Sequence, residues 1–273
     1  MPLEAFFLPV ASGRLFCLFH APEDEAVAKG AVIYVHPFAE EMNKSRRMAA
    51  LQARAMASAG YFVLQVDLLG CGDSSGDFGD ATWDGWIENL VEAGSWLRGR
   101  TGAELWWWGL RAGNLLAVEA AGRIGQPCDM FMWQPVVLGK QHLQQFMRLK
   151  IAGDLMGGGA KGAMDGLKQQ LAQGVPVEIA GYLLSPSVAL GLEKAELRVP
   201  DTVRQLALIE VSSHAGVEVS PALGARLEKW RSAGVDARAL SVAGPAFWQT
   251  TEIEECPELI DASLEALVAM VRQ

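Results

Sequence analysis

The stretch WWWGLRAGNLLA, Trp106 to Ala117, decides how the chain is read. Three aromatic residues, then Gly109-Leu110-Arg111-Ala112-Gly113, then a small and apolar run form the pattern of a buried strand that turns sharply into a helix. Gly109 and Gly113 stand two residues either side of Arg111, where a side chain would collide because strand and helix nearly touch.

Outward from this turn the periods alternate. EAFFLPV and GRLFCLFHAP, joined by Ala11-Ser12-Gly13, predict an antiparallel hairpin. GAVIYVHPF is apolar, β-branched and too short for a helix; with YFVLQVD, AELWWWGL and CDMFMWQPV it predicts strands. Between them NKSRRMAALQARAMASAG, TWDGWIENLVEAGSWLRGR and AGNLLAVEAAGRIG have helical spacing. Such alternation predicts an α/β fold, a mostly parallel sheet with helices on both faces. From Gly139 to about Pro200 it stops. Helical periods, a Gly157-Gly158-Gly159 hinge and no clear strand predict a cap insertion, 139–200, over the carboxyl edge of a single 1–273 domain. QLALIEVS, SPALGARLEKWRSAG, DARALSVAG and PELIDASLEALVAMVRQ then resume the alternation.

Composition narrows the function. Of 273 residues 51% are hydrophobic and 20% charged, enough for one large core plus an insertion. The net charge of −9 argues against a nucleic-acid partner, which needs clustered Lys and Arg. Cys17, Cys71, Cys128 and Cys256 form no C-x-x-C pair, so neither a zinc site nor a disulfide framework is signalled and reduced, cytoplasmic thiols are expected. The amino-terminal stretch has no basic segment ahead of its apolar run, and no run reaches the roughly 18–20 apolar residues of a membrane span. DLLGCGDSSGDF lacks the G-x-G-x-x-G spacing, no phosphate loop occurs elsewhere, and no metal or cofactor is expected.

The order of elements, a hairpin and then alternating units with an insertion after the sixth strand, resembles the α/β-hydrolase superfamily over almost the whole chain. HPFAEEMNKSRR, DLLGCGDSSGDF, GLRAG and AFWQTTEIEECPELI more narrowly resemble the exosortase A system-associated hydrolase type 2 family, which accompanies bacterial exopolysaccharide and protein-sorting gene clusters. The resemblance implies hydrolysis of an ester-type bond by a Ser-His-Asp triad. Its serine stands at the apex of the turn, over the sheet edge at a helix amino terminus where the potential is positive. Here the apex is Arg111, SSHAGVEVS puts Ala215 and Gly216 near the usual acid, and AGPAFWQ puts Phe247 or Trp248 at the usual base. Acyl hydrolysis at the usual place is therefore not expected.

Two readings follow. In one, His36 with Glu40 or Glu41 forms an acid/base couple, and Phe38 and Ala39 offer the oxyanion N–H groups that Pro37 cannot. His36 also reads as a hydrogen-bonder that orients its loop. In the other, the protein is a non-catalytic module for a small molecule or an anionic saccharide or lipid-type ligand, gripped by Arg111 with Leu110, Ala112, Arg46 and Trp248 around it. Arg111 equally admits an internal salt bridge to Glu40, Glu41, Glu210 or Asp73. The Trp106–Trp108 run and Cys71 read as core, and His142 and His214 show no partner.

Overall fold

The computed structural model describes residues 2–155 and 162–271, so the expected Gly157-Gly158-Gly159 hinge lies outside the described residues. Its strands are β1 (Leu3–Val10), β2 (Gly13–His20), β3 (Gly30–Val35), β4 (Tyr61–Val66), β5 (Leu105–Leu110), β6 (Cys128–Trp133), β7 (Val177–Ile179), β8 (Tyr182–Leu184), β9 (Val203–Ser212) and β10 (Asp236–Ala243). Eight of them form one sheet in the order β1-β2-β4-β3-β5-β6-β9-β10. The hairpin β1–β2 and its junction with β4 are antiparallel, and every later pairing is parallel. β3, β5 and β6 are buried at every position, which is why they read as continuous apolar runs.

Helices α1 (Glu40–Ser58), α2 (Trp83–Thr101), α3 (Gly113–Ile124), α7 (Pro221–Ser232) and α8 (Pro257–Val271) cover the sheet; α4 (Gly139–Leu155), α5 (Ala163–Ala172) and α6 (Pro186–Lys194) lie in the insertion. The three tryptophans of β5 serve both layers. Trp107 joins Ile87, Leu90 and Leu115 of α2 and α3, whereas Trp106 and Trp108 join Met48, Met56, Leu259 and Leu267 of α1 and α8. Alternation along a strand sends successive side chains to opposite faces, so this one strand ties the two layers together.

The insertion is closed at its base by backbone bonds, Gly139 N to Ala195 O at 2.9 Å and Leu197 N to Val137 O at 3.0 Å. It also holds an antiparallel pair, β7 with β8, where the sequence pattern predicts no strand. The reason is local: each strand is three residues long, too short for a period to declare itself, and the turn uses Ala180 and Gly181 at φ 51° and 83°. Ser185 fastens α6 to the core. Its hydroxyl accepts from Val188 N at 3.1 Å and donates to Ala81 O at 2.7 Å. Among the described residues no helix is long and apolar enough to cross a membrane.

The turn glycines give a stability test. A Cβ on Gly113 would lie 2.4 Å from Val35 O and 2.6 Å from His36 O, whereas one on Gly224 within α7 meets nothing within 4 Å. Gly113→Ala is expected to cost about 2–3 kcal/mol in urea unfolding, and Gly224→Ala to gain about 0.5–1 kcal/mol. Equal effects of the two would show that the turn is not tight.

Candidate functional site

β5 ends at Leu110, fully buried, and the chain reverses at Arg111 with φ 53°. This left-handed conformation costs a non-glycine residue roughly 1–2 kcal/mol and is held by the surrounding bonds. Arg111 N donates to Trp133 O at 3.0 Å, and Arg111 O accepts from Asn114 N at 3.2 Å and Asn114 Nδ2 at 3.1 Å. Gln134, at φ 40°, is similarly strained just past β6, and Ala39, at φ 50°, in the loop that leads from β3 to the amino cap of α1. Strained non-glycine backbone beyond the ends of three neighbouring strands marks this sheet edge as the candidate site.

The apex charge is met from within the protein. Arg111 Nε donates to Glu41 Oε1 at 3.2 Å; the two side chains are 12% and 6% exposed. The guanidinium carbon lies 5.6 Å from the centroid of the Trp248 ring, a cation–π contact. On its other side Glu41 Oε2 is 4.0 Å from His142 Nε2, so α1, the turn and the cap helix α4 together build an Arg–Glu–His cluster. Burial pushes the Glu41 carboxyl up to about 7 against the opposing pull of Arg111, because its own desolvation outweighs that attraction. Burial likewise pushes His142 down to about 3, leaving a neutral imidazole at physiological pH.

Two hollows open along this edge, one of them lined by Glu41 and His142 of the cluster. One, of about 270 Å³, is lined by Glu40, Glu41, Lys44, His142, Gln145 and Gln249 with Phe38, Phe146 and Leu149 as its apolar wall. The other, of about 490 Å³, includes Asn43, Arg46, Cys71, Asp73, Phe78 and Tyr182 in its lining. Directly against the turn, between Pro37, Phe38, Ala39, Cys71 and Ala112, only about 10 Å³ remains. That is room for no more than about one water.

The structure brings together some of the residues expected from sequence and separates others. Of the four carboxylates weighed for Arg111, Glu41 makes the pair; Glu210 instead accepts from Ser220 N, and Asp73 N donates to Asp67 Oδ2. The expected couple of His36 with Glu40 or Glu41 does not form. His36 Nδ1 donates to Pro37 O at 2.8 Å and Nε2 accepts from Leu68 N at 3.3 Å, so both ring nitrogens orient loops, and burial holds the ring neutral. Arg46 lines the larger hollow and pairs with Asp67 at 2.9 Å, away from Arg111; Arg47 pairs with Glu255, and Lys44 lines the smaller hollow. Leu110 is fully buried core, whereas Phe38, Ala39 and Ala112 enclose the narrow space at the turn. Trp248 is buried over Arg111 and Phe247 is fully buried beside it, filling the loop after β10. Cys71 is a buried thiol pushed up to about 12 and so protonated at physiological pH.

His142 was legible only as a lone histidine. The spacing of His142, Gln145, Phe146 and Leu149 puts them on one face of α4, but no local signal says that this face meets the elbow.

Solved structures with this architecture are α/β-hydrolase folds. Est1E from Butyrivibrio proteoclasticus with ferulic acid bound matches 98% of this chain and 100% of its own at TM-score 0.70 and 15% identity. A carboxyl esterase from Bacillus coagulans in complex with glycerol matches 100% and 98% at TM-score 0.65 and 13% identity. An α/β serine hydrolase without a lid from Xanthomonas campestris matches 99% and 96% at TM-score 0.60 and 18% identity. At these identities the likeness shows the fold, and the chain has the α/β-hydrolase fold. No protein-family model and no curated protein sequence matches it.

The cluster imposes a pH dependence on stability. The Glu41 carboxyl moves from 4.5 to about 7 on folding. Between those values the folded chain holds a proton that the unfolded chain has lost, so stability falls as pH rises through this window. Glu41→Gln is expected to remove that fall, worth up to about 3 kcal/mol, in urea unfolding at pH 5 and pH 8. The same slope in both proteins would mean that Glu41 titrates as an ordinary carboxylate.

Proposed function

We propose that this chain is a ligand-binding protein of the α/β-hydrolase fold that carries out no acyl transfer at its elbow. One observation carries the reading: the apex residue is Arg111, held by Glu41 at 3.2 Å. A guanidinium has no nucleophilic oxygen or sulfur, and the space of about 10 Å³ beside the turn is too small for an acyl group. Arg111 then serves as a positioning residue for Glu41, and the ligand occupies the neighbouring hollow of about 270 Å³.

The resemblance of HPFAEEMNKSRR and GLRAG to the exosortase A system-associated family suggests a ligand from exopolysaccharide or sorting-system chemistry. An acidic saccharide fits that suggestion, with the amides of Gln145 and Gln249 and the Lys44 ammonium, which also donates to Gln249 O at 3.4 Å, in the lining to meet it.

A second reading has its own observation. A buried carboxyl near pH 7 beside a neutral imidazole is poised for acid/base work, so Glu41 could activate water against an ester-type bond without a covalent intermediate.

An ester and thioester panel, a fluorophosphonate probe and thermal shifts with oligogalacturonate test both. The expected result is no turnover, no covalent labelling, and a Tm rise with oligogalacturonate that is lost in Lys44→Ala. Labelling by the probe would overturn the absence of acyl transfer. Turnover that rises with pH around 7 and vanishes in Glu41→Gln would establish the second reading instead.

A further inference from the structure

Helix α4 lines a hollow on a second face. Lys140, Leu143 and Met147 turn away from the elbow hollow and line another cavity, of about 720 Å³, enclosed within the cap by α4, the end of α5 and α6. Its floor is apolar: Leu143, Met147 and Ala189 are at most 6% exposed. Leu171 and Ala172 add a wall from α5, and Leu190 stands at the edge 52% exposed. An exposed leucine beside an apolar hollow forgoes roughly 1.5–3 kcal/mol that burial by a ligand would recover.

The rim is charged. Lys140, Lys168 and Glu193 line the cavity, all are exposed, and no ion pair joins any of them among the described residues. Two ammonium groups against one carboxylate favour an anionic head group, and the floor favours an alkyl chain. A cavity of this size is in the range that holds drug-sized ligands.

We propose that the cap cavity binds a single-chain anionic amphiphile, its chain against Leu143, Met147 and Leu171 and its carboxylate at Lys140 and Lys168. This site is separate from the elbow and stands whether or not the elbow binds or catalyses. No covalent step is involved.

Calorimetry with dodecanoate and dodecyltrimethylammonium, both below their micelle concentrations, tests it on the full chain. Dodecanoate is expected to bind one to one, and the cation at least about tenfold more weakly. Lys140→Glu with Lys168→Glu, both exposed and tolerant of change, is expected to reverse that preference. Ala172→Trp, which fills the hollow from an exposed position, is expected to abolish dodecanoate binding, and Glu41→Gln to leave it unchanged. Equal binding of both amphiphiles by the parent chain, or an unchanged preference in the charge-reversed variant, would overturn the proposal. So would undiminished binding in Ala172→Trp.

Discussion

The strand-to-helix reversal at Arg111 is the constraint on which the rest of the candidate site depends. β5 is buried on both faces and must leave the sheet without exposing backbone, so the chain turns at once, through a left-handed residue between two glycines that have no room for a Cβ. That turn thrusts residue 111 over the carboxyl edge, between α1 and the cap. Because the residue there is an arginine and the place is largely closed to water, a carboxylate had to be supplied by the protein or by a ligand. Glu41, on the first turn of α1, supplies it.

Burial of Glu41 beside Arg111 carries a desolvation cost, the cause that raises its carboxyl despite the attraction of Arg111. The left-handed backbone at Ala39, Arg111 and Gln134 adds further cost at the same edge. Packing elsewhere offsets both, including three consecutive tryptophans driven alternately into the two helical layers. A rigid interior thus supports a strained edge, the arrangement expected where an edge has a task other than stability.

The segment between β6 and β9 packs against that edge. Tyr182 holds it to the core through Phe78, with ring centroids 5.0 Å apart, and through Asn43, while α4 presents one face to the elbow cluster and the other to a cavity of its own. The two hollows differ in chemistry because the two faces differ in sequence. His142 and Gln145 look toward the elbow, Leu143 and Met147 away from it.

By itself the sequence determined the alternation of buried strands and amphipathic helices, the sharp turn between Gly109 and Gly113, and the need of Arg111 for an anion. These follow from periodicity, glycine spacing and charge, which act over a few residues. It left that anion open between a ligand and four carboxylates of the chain, Glu41 among them. Only the tertiary structure chose Glu41, 70 residues away in sequence, added His142 from the cap, and turned both nitrogens of His36 to backbone. It alone revealed β7 and β8, whose three-residue strands carry no readable period, and sent Arg46 to Asp67. The physical reason is that burial and charge pairing depend on which distant segments the folded chain brings within a few ångströms, and no local pattern contains that information.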